Sequence, residues 1–265
     1  MVKPILASVS ITLSFSETGA GPPLVILHGL FGSKRNWASV AGRLGQHHRV
    51  LTADLRNHGA SPWADQHDYP ALADDVADLI RAEIGGAADV LGHSMGGKAA
   101  MILALTQPQL VRRLVVVDIP PAASPQTAIA PLRSMQGVPL TTLTRRAEVE
   151  AALAASIPEP AVRGFLALNA TTGPDGLAWS VNLAAIEQNF ELISGFPTIP
   201  PGRAFTGPTL FIAGEKSGYL QPQHQAEIDR LFPASTIEII PGAGHWVHAE
   251  APRLFQEAVS RFLTA

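Results

Sequence analysis

Six short runs of apolar, β-forming residues recur along the chain: PLVILH (23–28), RVLTADL (49–55), DVLGH (89–93), LVVVDI (114–119), PTLFIAG (208–214) and STIEII (235–240). A strand with one face in water alternates apolar and polar residues. These runs are apolar almost throughout, so both of their faces must be covered. Stretches with helical spacing lie between them. Leu72, Val76, Leu79, Ile80 and Ile84 share one face, with Asp68 upstream as a candidate N-cap. A second helix is predicted after Ser94, through Lys98, Ala99, Met101 and Leu103 to about Thr106. A third closes the chain, with Leu254, Phe255, Ala258, Val259, Phe262 and Leu263 on one side. The expectation is an α/β fold with a mostly parallel central sheet flanked by helices.

The alternation fails between about residues 120 and 205, a segment that opens on PPAASP and closes on FPTIPPGR. The apolar content of FLALNA and WSVNLAAIEQNF predicts a folded, mostly helical insertion rather than a linker. The expected division is a core of residues 1–118 and 206–265 and an inserted helical cap of 119–205. A chain of 265 residues with 46% hydrophobic and 15% charged residues can fill such a core. A net charge of −3 without a basic block makes nucleic acid a poor partner. The absence of cysteine excludes disulfides, thiolate nucleophiles and zinc sites built on sulfur. The N-terminal stretch MVKPILASVSITLSFSETG alternates like strands and lacks a cationic-then-apolar signal design. No run of about 18 apolar residues appears, so no membrane span is expected and a cytoplasmic location is the default. Oligomeric state is not readable.

LGHSMGG (91–97) places Gly92-His93-Ser94-Met95-Gly96 between a strand and a helix, the context a nucleophile elbow requires. There the serine sits on a sharp, strained turn above the sheet, facing the positive end of the helix. A serine hydroxyl needs a base. His245, in IIPGAGHWVHAEAP, follows a late strand and precedes the last helix, so its loop can reach the elbow. Among the other histidines, His93 lies inside the elbow, too constrained to turn back on Ser94. His28 ends an early strand and shapes its loop. His47, His48 and His67 read as surface residues, and the nearest rival, His248, as a solvent-facing helix start. Acyl transfer also needs N–H donors at the developing oxyanion. The backbone of Met95 and that of Leu30, in LVILHGLFGSKRNW (24–37), are the candidates.

With these pieces placed, the chain resembles the α/β-hydrolases over nearly its whole length, and more narrowly the YbfF-type esterases of the abhydrolase-domain subfamily. HGLFGSKRNW, DLRNHGASPW, GHSMGGKAAM, VVVDIPPA and GAGHWVHAEAP carry the resemblance, with WSVN (179–182) similar to a cap segment of that group. It implies a serine hydrolase acting on small-molecule esters or acyl thioesters, with no metal and no organic cofactor. In that fold the third triad member, an acid, usually follows the next-to-last strand. Here the loop EKSGYLQP holds Ser217 at that position, so either Glu215 substitutes or the acid comes from another strand end. Asp118 ends the strand after the nucleophile helix, on the sheet edge where Ser94 lies, and is the leading candidate to orient His245. Asp54 ends a strand on the other side of the elbow and reads as a loop brace, with Arg56 as its local partner. Phe31, Met95, Trp179 and Trp246 are candidates to line an apolar pocket. Alternatives on the same triad are carbon–carbon bond, lactone or perhydrolase chemistry. A ligand-binding module with vestigial activity is a further one.

Overall fold

The structure, a computed structural model, describes residues 10–174 and 176–264. Its strands are β1 (Phe15–Thr18), β2 (Pro23–Leu27), β3 (Arg49–Ala53), β4 (Ala88–His93), β5 (Val111–Val117), β6 (Ala170–Gly173), β7 (Gly176–Trp179), β8 (Thr209–Gly214) and β9 (Ser235–Ile240). Its helices are α1 (Ala38–Leu44), α2 (Tyr69–Glu83), α3 (Met95–Thr106), α4 (Ile129–Gln136), α5 (Arg146–Leu153), α6 (Pro160–Ala167), α7 (Leu183–Gln188), α8 (Phe190–Ser194), α9 (Gln225–Leu231), α10 (Val247–Glu250) and α11 (Pro252–Thr264). One sheet runs in the order β1-β3-β2-β4-β5-β8-β9, with β1 antiparallel to β3 and every other pair parallel. β1 falls within the strand-like N-terminal stretch, whose first nine residues lie outside the described ones.

The six apolar runs form β2, β3, β4, β5, β8 and β9. For the central strands the reason for the unbroken apolar character is visible in the packing, whereas β9, at the edge of the sheet, leaves Ile237 and Ile239 exposed, so the expectation of cover on both faces is corrected there. Val25, Leu27, Val90, Leu114 and Val116 point into one layer, under α2 and α3; Leu24, Ile26, Leu91, Val115 and Val117 point into the other, under α1 and α11. All ten are fully buried. α2 starts where Asp68 accepts the Ala71 N–H at 2.9 Å.

One charged pair interrupts this core. Arg56 donates to Asp75 of α2 through Nε (2.6 Å) and Nη2 (2.8 Å), and both side chains are fully buried. The expectation that Arg56 pairs with Asp54 is therefore corrected. Arg56 turns toward α2, while Asp54 accepts the N–H groups of Lys34 and Ala60 and meets the Lys34 ammonium at 3.3 Å.

The segment between β5 and β8 holds α4 to α8 and one element that the helical reading missed. β6 and β7 form an antiparallel hairpin. Pro174 and Gly176, the latter at φ +108°, turn the chain where a helix cannot continue. The WSVN piece then closes β7, bridges Val181 to His58, and caps α7 through Asn182. Side chains fasten this segment to the core. Asn169 donates to the Phe31 carbonyl at 2.8 Å, Asn182 to Asn57 Oδ1 at 3.1 Å, Lys98 to the Gly195 carbonyl at 2.7 Å, and the Tyr69 hydroxyl to the Ile193 carbonyl.

Candidate active site

Strand order reverses between β2 and β4, and a parallel sheet opens a crevice at such a point beyond the carboxyl ends of its strands. Among the described residues the non-glycine positive-φ positions are Phe31, Asn57, Ser94 and Asp118, all just past the carboxyl end of a strand. Ser94 has φ +52° and ψ −117° between β4 and α3. The elbow closes only because its flanking residues are glycines. A Cβ on Gly92 would lie 2.2 Å from the Gly96 carbonyl oxygen, and one on Gly96 would lie 2.5 Å from that of His28.

Parallel register then sets the neighbours. His93 pairs with Val117 across β4 and β5, the Ser94 N–H donates to the Val117 carbonyl at 3.0 Å, and Asp118 is the next residue. His245 comes from the loop between β9 and α10. Its Nδ1 lies 2.7 Å from Asp118 Oδ2 and its Nε2 lies 3.2 Å from Ser94 Oγ. The Asp118 carboxylate is fully buried and also accepts the Gly214 N–H at 3.0 Å and the Ser217 hydroxyl. Ser217, at the position where the fold usually carries an acid, thus donates to Asp118. Glu215 points elsewhere and accepts the Gly242 N–H at 2.8 Å.

Of the residues that hold this arrangement, His28 is read from sequence as shaping its loop, while the roles of His93, His58 and Tyr219 are not. The His93 ring, dismissed as constrained, has its Nε2 at 2.9 Å from the His245 carbonyl oxygen and so ties the histidine loop to the elbow. Tyr219 stacks on the His245 ring with centroids 4.0 Å apart. The Leu30 loop is braced by two neutral histidines. His28 Nε2 accepts the Leu55 N–H at 2.9 Å and its Nδ1 donates to the Gly29 carbonyl at 2.8 Å. His58 Nε2 accepts the Phe31 N–H at 3.2 Å while its Nδ1 donates to the Arg56 carbonyl at 2.9 Å. Burial holds both below the ordinary imidazole range, so each can keep the acceptor nitrogen this wiring uses.

A cavity of about 550 Å³ opens over Ser94 and His245, with Phe31, Val162, Phe165 and Trp246 on its walls. Of the expected pocket residues, Trp179 lies outside it and donates to the Met135 carbonyl at 3.2 Å. Met95 lines an adjoining smaller cavity that also holds Leu30 and Ser94.

Three of the surface assignments are corrected. His48 and His67 are 5% and 0% exposed, and His248 is half-buried and stacks on Trp37 at 4.2 Å. Burial lowers His67 to about 3, with the Arg56 charge adding to it, and lowers His248 to about 4. Unfolded, both would titrate near 6.5. Below that pH the unfolded chain binds more protons, so stability falls as pH drops from 6.5 toward 4. Thermal melts are expected to decline between about pH 6.5 and 4.5, before most carboxylates titrate. A flat melting temperature across that window counts against neutral, buried histidines.

Comparison with known proteins agrees with this geometry. The sequence pattern of the alpha/beta hydrolase fold family matches residues 22–252. The sn-1-specific diacylglycerol lipase ABHD11 of Mus musculus is 41% identical over 253 residues, spanning 91% of this chain and 81% of that protein. Esterase YbfF of Escherichia coli is 34% identical over 242 residues, spanning 91% of this chain and 92% of its own. The solved structure of a marine microorganism esterase superposes with a TM-score of 0.92 at 35% identity, covering 96% of this chain and 100% of that one. Fold, elbow and relatives converge: this chain belongs to the α/β-hydrolase family.

Proposed function

We propose that this enzyme hydrolyses carboxylic esters, or acyl thioesters such as acyl-CoA, through an acyl-enzyme formed on Ser94. The observation that carries the reading is the line from Asp118 through His245 to Ser94, at 2.7 and 3.2 Å. The chain is a carboxylic ester hydrolase of the esterase and lipase kind. In the proposed cycle the Asp118 carboxylate accepts the His245 Nδ1–H, so Nε2 faces Ser94 as a base. Ser94 Oγ attacks the acyl carbon as its proton passes to Nε2. The Leu30 and Met95 N–H groups receive the oxyanion, His245 protonates the leaving alcohol or thiol, and water then releases the acid. None of these steps calls for a metal or an organic cofactor. Residues 119–205 serve as the cap that roofs the larger cavity, whose apolar walls suit the hydrocarbon part of a substrate. Diacylglycerol, named for the mouse relative, is an ester of that character.

The test is a nitrophenyl ester series from acetate to palmitate. Ser94→Ala is expected to lower turnover by roughly 10⁴- to 10⁶-fold, and Glu215→Gln to stay within about twofold of wild type. No wild-type turnover with any ester would end the hydrolase reading. A large loss in Glu215→Gln would return the acid's role to that residue.

A further inference from the structure

Two cavities meet at Ser94. The larger is lined by His245 and Trp246. The smaller, about 60 Å³, is lined by Leu30, Met95, Tyr69, Ser124 and Lys98, and His245 is not among its walls. Lys98 sits one helical turn beyond Ser94 and is 1% exposed. Its ammonium donates to the carbonyls of Gly195 (2.7 Å) and Ser194 (3.3 Å) and stands 5.7 Å from the Tyr69 ring centre. An ammonium has three donors, and these carbonyls use two. No ion pair involving Lys98 occurs among the described residues, and burial without a counter-ion lowers it to about 7. The Ser124 hydroxyl oxygen is also buried and has no hydrogen-bond partner.

We propose that the smaller cavity takes the acyl half of the substrate, and that Lys98 and the Ser124 hydroxyl receive a carboxylate at the far end of that half. The substrates are then hemiesters of short dicarboxylic acids with bulky apolar alcohols. This rests on the reading of Ser94 and His245 as nucleophile and base. The division of the halves follows from proton transfer. His245 must protonate the leaving alcohol, so the alcohol lies on its side, in the larger apolar cavity. The acyl group stays on Ser94, beside the Leu30 and Met95 N–H groups, and extends away from His245. Ser94 Oγ bonds to the acyl carbon, the carbon–oxygen bond to the alcohol breaks, and the alcohol leaves with the proton taken from Ser94. Water gives a proton to His245 and adds to the acyl carbon, the bond from that carbon to Ser94 Oγ breaks, the proton returns to Ser94, and the products are the alcohol and a dicarboxylate. A small end wall that carries the buried Lys98 amine selects a compact anion, because a buried ammonium gains most from a partner of opposite charge.

The test compares octyl hydrogen succinate with octyl isocaproate, whose acyl half has nearly the same shape and no charge. Wild-type kcat/KM is expected to favour the hemiester by about tenfold or more, and Lys98→Met to reduce that ratio by at least about tenfold. Lys98→Met also removes a donor from the Ser194 and Gly195 carbonyls, so a second measurement leaves the wild type intact. Succinate is expected to inhibit turnover of the neutral ester competitively, and at least about tenfold more tightly than succinamide. A wild-type preference for the neutral ester, or succinate no better than succinamide, would overturn the carboxylate anchor and leave Lys98 as a fastening for α8. If nitrophenyl esters turn over, that result overturns this inference alone. If no ester turns over, both readings fall.

Discussion

Asp118→Asn is expected to lower kcat by about 10³- to 10⁴-fold with little change in melting temperature. The carboxylate does three things at once: it accepts from His245, from the Gly214 N–H and from the Ser217 hydroxyl. An asparagine oxygen can keep the Gly214 bond. Its amide nitrogen then faces His245 Nδ1 as a donor. Imidazole answers by moving its proton to Nε2, which can no longer accept from Ser94. The loss is thus one of tautomer and of charge opposite the imidazolium, not of shape. The fold should survive, because Asp118 sits at φ +55° and asparagine tolerates that region well. Steady-state kinetics beside a thermal melt separate the two effects. A variant with near-wild-type kcat would remove Asp118 from the triad, whereas a variant that unfolds would show that its main task is to join β5 to β8.

The largest effect on stability is expected at the buried pair beneath the β3 loop. Asp75→Ala leaves the Arg56 guanidinium buried without its carboxylate, which costs roughly 3–5 kcal/mol. For a chain of this size that is about 10 °C in melting temperature. Asp75 also accepts the Ile11 N–H at 2.8 Å, so the N-terminal segment loosens with it. Activity should fall in the molecules that remain folded. Arg56 offers its carbonyl to His58, and His58 holds the Phe31 N–H beside the proposed oxyanion donor. Chemical denaturation measures the first effect and kcat in the folded range the second. Arg56→Met with Asp75→Leu, which removes both charges, should recover much of the stability but not the wiring. An unchanged denaturation midpoint in Asp75→Ala would show that the pair does not stabilise the fold.

What was legible in the sequence follows from how local each cause is. Leu114 to Val117 announce a strand covered on both sides because two-sided burial leaves no polar alternation. Ser94 is legible because the elbow demands glycine at positions 92 and 96, and the demand is met within five residues. Asp118 was reached only by weighing strand ends, since its bond to His245 spans 127 positions. The β6–β7 hairpin was hidden by the alanine-rich and leucine-rich sequence around it. His48, His67 and His248 were placed on the surface because a single histidine has no periodicity to betray its burial. Arg56 looked like a neighbour of Asp54 because sequence distance was the available guide, while the partner one helix away was the nearer in space.

The segment between β5 and β8 is held to the core by Asn169, Asn182, Lys98 and Tyr69, through bonds that span 96 to 138 positions of sequence. Bonds placed at separate points along such a roof oppose rotation about any single hinge. Widening the range of accepted esters is then expected to need substitutions in the walls of the cavity rather than in the ends of this segment.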